Sequence, residues 1–94
     1  MTEKELEKKL PSSEEILAAY EKLFGKDKHG VSRFKKSGVR YLDLSGDLIL
    51  VEQNPDKESH WAKQAREGHK IAWVLKDGEF LARVVDGKLD ILYK

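Results

Sequence analysis

Chemistry in this chain has few places to reside. The histidines are His29, His60 and His69. Asp56, Glu58 and His60 lie close together, but on a helix only Asp56 and His60, four apart, share a face. A metal would need a further ligand from elsewhere, such as His69. The bare spacing therefore predicts solvated polar residues at the ends of a helix rather than a metal centre. Ser59 with His60 or His69 and Asp56 contains the residue types of a nucleophilic triad. Such triads are defined by geometry, and nothing in the spacing supports one. No phosphate-cradling glycine loop, dinucleotide-binding fingerprint, nucleophile elbow or zincin helix motif is present. With no cysteine, thiol chemistry, disulfides and thiolate metal sites are excluded. The residues name neither a catalytic group nor a cofactor, and the expectation is a non-catalytic binding module.

Charge is more informative. The net charge is +1, yet it is unevenly spread. Residues 26–40 carry Lys26, Lys28, Arg33, Lys35, Lys36 and Arg40 against Asp27 alone. Residues 57–76 carry Lys57, Lys63, Arg66, Lys70 and Lys76 against Glu58 and Glu67. Between them, residues 41–56 are acidic. The first basic stretch also interleaves aromatics, Phe34 and Tyr41. Basic groups neutralise phosphates and aromatic faces stack on unpaired bases. The pattern points to RNA or single-stranded DNA, with Arg33, Phe34, Lys35, Lys36, Arg40, Tyr41, Lys63, Arg66 and Lys70 as the candidate contacts. No known RNA-binding motif accompanies it, and a near-neutral chain is less basic than a dedicated binder usually is. A protein-protein or homodimer module, using the N-terminal amphipathic helix or an open sheet edge, is the alternative. Trp61, beside Ala62 and Ala65, is expected to pack onto the sheet rather than stand as an exposed stacking platform.

These residues must be positioned by a small domain. The 94 residues are 39% hydrophobic and 37% charged, room for one domain with a modest core. Lysine outnumbers arginine, 14 to 4, and Asn, Gln and Met are scarce, a thermophile-like composition. The opening MTEKELEKKL lacks an apolar core segment, and no run is long enough to cross a membrane. The expected setting is cytoplasmic, with no membrane partner.

Thr2 and Glu5 form a capping-box pattern opening a short helical segment within residues 1–11 that Pro11 ends. Ser12 or Ser13 then caps a helix from about Glu14 to Phe24, with Ile16, Leu17, Tyr20, Leu23 and Phe24 on one face. Gly25 stops it. Residues 31–34, 39–44 and 48–53 read as strands, separated by turns at 35–38 and 45–47. Asp56 or Ser59 caps a short helix through Glu67. Residues 71–76, 79–85 and 88–93 read as three further strands joined by Asp77-Gly78 and Asp86-Gly87, the dipeptides of tight type I′ hairpins. The expected fold is α+β: a curved antiparallel sheet of five or six strands, two meanders flanking a short helix, covered by the N-terminal helices. Trp73, alternating with Ile71 and Leu75, is expected in one core cluster with Leu50, Leu81, Ile91, Leu17 and Tyr20.

The order of elements from Leu48 to Leu89 resembles the core of flavin-binding split β-barrels. That resemblance implies a cofactor-binding protein, with Ser59, Lys63 and Arg66 as the phosphate ligands. It rests on topology and carries no diagnostic motif.

Overall fold

The computed structural model describes residues 10–27 and 29–92. The N-terminal capping box and Lys28 lie outside them. The first helix, α1, spans Ser13–Phe24. Ser12 is its cap: the side-chain oxygen accepts from the Glu15 amide at 3.1 Å. Gly25 ends α1 in an extended rather than left-handed conformation. Its value lies in what it lacks, because a Cβ there would stand 2.5 Å from the Glu21 carbonyl oxygen.

Six strands follow: β1 Ser32–Arg33, β2 Arg40–Asp43, β3 Ile49–Glu52, β4 Ile71–Lys76, β5 Glu79–Val85 and β6 Lys88–Ile91. The second helix, α2 His60–Arg66, lies between β3 and β4 and is capped by Ser59. All strands pair antiparallel with their chain neighbours, in the order β1-β2-β3-β4-β5-β6. The domain is thus α+β with a six-stranded antiparallel sheet. Asp77-Gly78 and Asp86-Gly87 are two-residue hairpin turns, and all four residues have positive φ, as a type I′ turn demands. No helix among the described residues is long and apolar enough to cross a membrane.

The sheet has two unlike faces. On the inner face Leu42, Leu50, Ala72, Val74, Ala82 and Val84 are buried in one cluster with Ile16, Tyr20 and Leu23 of α1. The other face carries a cross-strand row of Ser32, Tyr41, Val51, Trp73, Arg83 and Asp90. Trp73 therefore does not join Leu50 and Tyr20. Side chains alternate sides along a strand, and the register that pairs Leu50 with Val74 sends Trp73 to the outer face. Ile91 also leaves the expected cluster: it is 45% exposed, on the edge strand. Leu81 and Tyr20 hold their expected places, with Leu17 packed at the margin.

A β-bulge in β5 sets what the outer face presents. Val74 pairs with Ala82 but Leu75 pairs with Phe80, so Leu81 is an extra residue. Strict alternation from Ala82 would send Phe80 inward. The bulge buries Leu81 and leaves Phe80 outside, its ring 4.9 Å from that of Trp73.

One polar cluster fastens α1 to the last hairpin. The Asp86 carboxylate lies 2.7 Å from His69 Nδ1 and accepts from the Lys70 amide at 3.0 Å. The Lys70 carbonyl in turn accepts from the Tyr20 hydroxyl at 2.8 Å. The His69 contact, aided by the Lys70 amide, holds the Asp86 carboxyl below its ordinary 3.8. A lowered carboxyl pKa adds stability that is fully present above the unfolded value and lost as pH falls through the folded one. Asp86→Asn, which keeps the turn, should melt below the wild type at neutral pH. The two should draw together as the pH falls through the folded pKa, because protonation then removes the charge at this position. A melting difference that persists unchanged in acid would show that the carboxylate charge is not what stabilises.

An aromatic groove on the outer face

The elements on the outer face bring five aromatic rings together. Phe34 stacks on Tyr41, centroids 4.3 Å apart and planes inclined by 19°. Both belong to the β1–β2 hairpin, whose tip is closed by the bond from the Gly38 amide to the Phe34 carbonyl. Trp61, in the first turn of α2, meets Trp73 edge-on at 6.0 Å, and Phe80 also packs against Trp73, at 4.9 Å. Arg83 holds α2 to the sheet. Its guanidinium carbon lies 4.1 Å from the Trp61 ring centroid and 5.5 Å from that of Trp73. It also reaches Asp90 at 3.4 Å, and its Nε is buried with no partner among the described residues.

Between these rings lies a groove of about 460 Å³. Phe34, Ser37 and Val39 line it from the first hairpin, Val51, Glu52, Trp73, Leu75 and Phe80 from the sheet, and Gln53, Asn54, Lys57, Ser59 and Trp61 from the segment running from β3 into α2, its second wall. Its volume falls within the roughly 300–1,000 Å³ of ordinary ligand sites. A relay of hydrogen bonds fixes the second wall. Trp73 Nε1 donates to Gln53 Oε1 at 2.7 Å, Gln53 Nε2 to the Asn54 carbonyl at 3.0 Å, and the Asp56 amide to Asn54 Oδ1 at 2.9 Å. Arg66 donates from Nη1 to the Pro55 carbonyl and, at 3.1 Å, to that of Lys57, tying the loop to α2.

The groove thus draws on both basic stretches, through Phe34, Ser37 and Val39 from the first and Lys57, Ser59 and Trp61 from the second. Of the candidate contacts, Phe34 lines this groove with Tyr41 stacked on it, and Arg33, Lys35, Lys36 and Lys63 are exposed. Arg40 stands apart. It is bound to Glu52 through Nε at 2.8 Å and through Nη2, and it lies over the Phe24 ring at 5.4 Å. With Lys70 it lines a second hollow of about 240 Å³, beside Phe24, Pro55 and His69. The phosphate ligands implied by the split-barrel resemblance are partly engaged already: Ser59 caps α2 and Arg66 holds the loop.

Trp73, Phe80 and Lys57 were not among the sequence candidates. The signal for Phe80 is the run of three consecutive apolar residues, Phe80-Leu81-Ala82, which strict alternation along a strand does not produce. No cluster of three or more His, Cys, Asp or Glu able to hold a metal occurs among the described residues.

Fold and site together define a small α+β domain that presents an aromatic-lined, basic-edged groove on an open sheet face. Compared with protein-family models, with curated proteins and with solved structures, the chain matches none.

Proposed function

We propose that this protein is a non-catalytic binding module that takes RNA or single-stranded DNA across its outer sheet face. The observation that carries this reading is the groove lined by aromatic rings from both basic stretches. Bases stack on the exposed rings of Phe34 and Phe80 and on the uncovered parts of Trp61 and Trp73. Arg33, Lys35, Lys36, Lys57 and Lys63 around them meet the phosphates. Stacking tolerates any base and is worth about 1–3 kcal/mol per base, so a few rings and a few cations suffice for micromolar affinity. A cysteine-free composition rich in lysine and glutamate supports an intracellular setting for such a module.

Both tryptophans line the groove, so intrinsic fluorescence reports occupancy directly. Oligonucleotides of about ten nucleotides should quench it, with log affinity falling against log salt by about 0.7 per phosphate neutralised. Replacing Lys35 and Lys36 together by Glu should weaken binding more than about tenfold at low salt. The same change should move the melting temperature by only a degree or two, since exposed loop charges contribute little stability. Failure of any single strand to bind, or binding indifferent to salt, would pass the groove to an apolar protein partner. The exposure of Phe80 and Ile91 favours that second reading.

A further inference from the structure

We infer that the free edge of β6 is an interface between two copies of this chain, which join their sheets antiparallel about a two-fold axis at Leu89. Among the described residues no strand lies beyond β6. The Asp86-Gly87 turn has two residues, so Val85 and Lys88 close the hairpin as a hydrogen-bonded pair. Such pairs recur at every second position, next at Arg83 with Asp90, and the Leu92 amide continues them by donating to the Leu81 carbonyl at 3.0 Å. Lys88, Asp90 and Leu92 therefore spend their main-chain groups on β5. Leu89 and Ile91 turn theirs to the open side, as a template for an added strand. The opposite edge of the sheet, β1, is only two residues long and offers too short a ladder. The edge that matches β6 is a second β6.

The side chains select one register. Ile91 follows Ala82 onto the inner face but stays exposed, because nothing lies beside it at the edge. Leu89 packs at the margin of the core. Lys88 and Asp90 stand in line on the outer face, both exposed. A regular two-fold ladder sets outward-turned residues opposite outward-turned residues, so within β6 the axis falls at Lys88, Leu89, Asp90 or Ile91. An axis at Lys88 sets lysine against lysine, and one at Asp90 sets aspartate against aspartate, and like charges directly opposite repel. An axis at Ile91 carries half of the pairing past the end of the strand. At Leu89 each Lys88 faces Asp90 of the other copy, so both charges are answered. Leu89 then meets Leu89 across the axis, and each Ile91 lies diagonally against Leu89 of the other copy, which continues the apolar inner face through the junction. A lysine on an edge discourages foreign strands, and here the chain's own copy is the strand that satisfies it. Both outer faces, each with its groove, come to lie on the same side of the joined sheet.

Sedimentation velocity of the full chain tests this. An edge this short buries little area, so a dissociation constant of about 10–100 μM is expected. Asp90→Lys sets lysines against each other at both facing positions, and Lys88→Asp does the same with aspartates. Each should weaken the dimer at least about tenfold. Mixed in equal amounts, the two variants restore opposite charges at every facing position, and a heterodimer should form with about the wild-type affinity. Both positions are exposed, and a thermal melt checks that each variant is folded. If one is not, the double exchange of Lys88→Asp with Asp90→Lys reverses both pairs and should dimerise like the wild type. A wild type that stays monomeric at about 1 mM, a dimer that Asp90→Lys leaves intact, or variants that stay monomeric when mixed overturns the proposal. None of these results bears on whether the groove takes a nucleic acid.

Discussion

Leu50→Ala should lower the melting temperature by roughly 15–30 °C, corresponding to about 3–5 kcal/mol. Leu50 is fully buried in a central strand, between Leu42 on one neighbour and Val74 on the other. It shares its cluster with Ile16, Tyr20 and Leu23, so the void left by truncation lies between α1 and the sheet. Both walls of that void are regular structure, and neither can collapse into it without breaking register or helix packing. A domain of this size holds only about 5–15 kcal/mol in total, so the loss is a large share of its stability. A calorimetric or circular-dichroism melt decides it, and a drop under about 5 °C would mean that the inner layer is not the one that holds the fold.

Trp73→Ala should act mainly on binding. Trp73 is half-buried and lies on the outer layer, so its stability cost is expected at about 2–3 kcal/mol, below the roughly 3–5 of a fully buried ring. It is also the ring on which the groove is built. It touches Trp61 and Phe80, shares Arg83 with Trp61, and donates the hydrogen bond that orients Gln53. Its loss removes one stacking surface and frees two others, and single-strand affinity should fall about 30- to 100-fold. Trp73→Phe keeps a π-face but not the N–H, and should recover most of the affinity while leaving Gln53 unheld. Equal binding by wild type and Trp73→Ala would remove the outer face from the binding surface.

Much of the fold was legible because local chemistry dictated it. Ser12 before Glu15 reads as a cap, with Ser13 the alternative, and it is Ser12 that caps α1. The two Asp-Gly pairs could only be tight hairpins between apolar runs, and the strands on either side follow from them. The site was half legible. Phe34 and Tyr41 could be singled out because they interrupt a run of cations within one short segment. Trp73 could not be assigned to the correct side from its own strand, since Ile71, Trp73 and Leu75 alternate as a core face would. Which face meets α1 is fixed by pairing with β3, a contact distant in sequence. Phe80 was hidden more deeply still, because one extra residue in β5 reverses its side. Arg40 reads as one more cation in a basic stretch until Glu52, twelve residues on, is found beside it.

The plain order of the sheet bears on how the chain reaches this state. Every strand pairs with the strand next to it in sequence, so the contacts that define the sheet close short loops, and ordering entropy is recovered almost as soon as it is lost. The hairpins at Asp77-Gly78 and Asp86-Gly87 need only two residues each to turn. One step is different in kind: β3 meets β4 only after the stretch containing α2 has been gathered between them. That closure sets Trp61 against Trp73 and lays β3 beside β4, so the groove and the junction between the two halves of the sheet form in the same event. The groove is thereby expected to be among the last features to assemble, and among the first to open when the domain fluctuates.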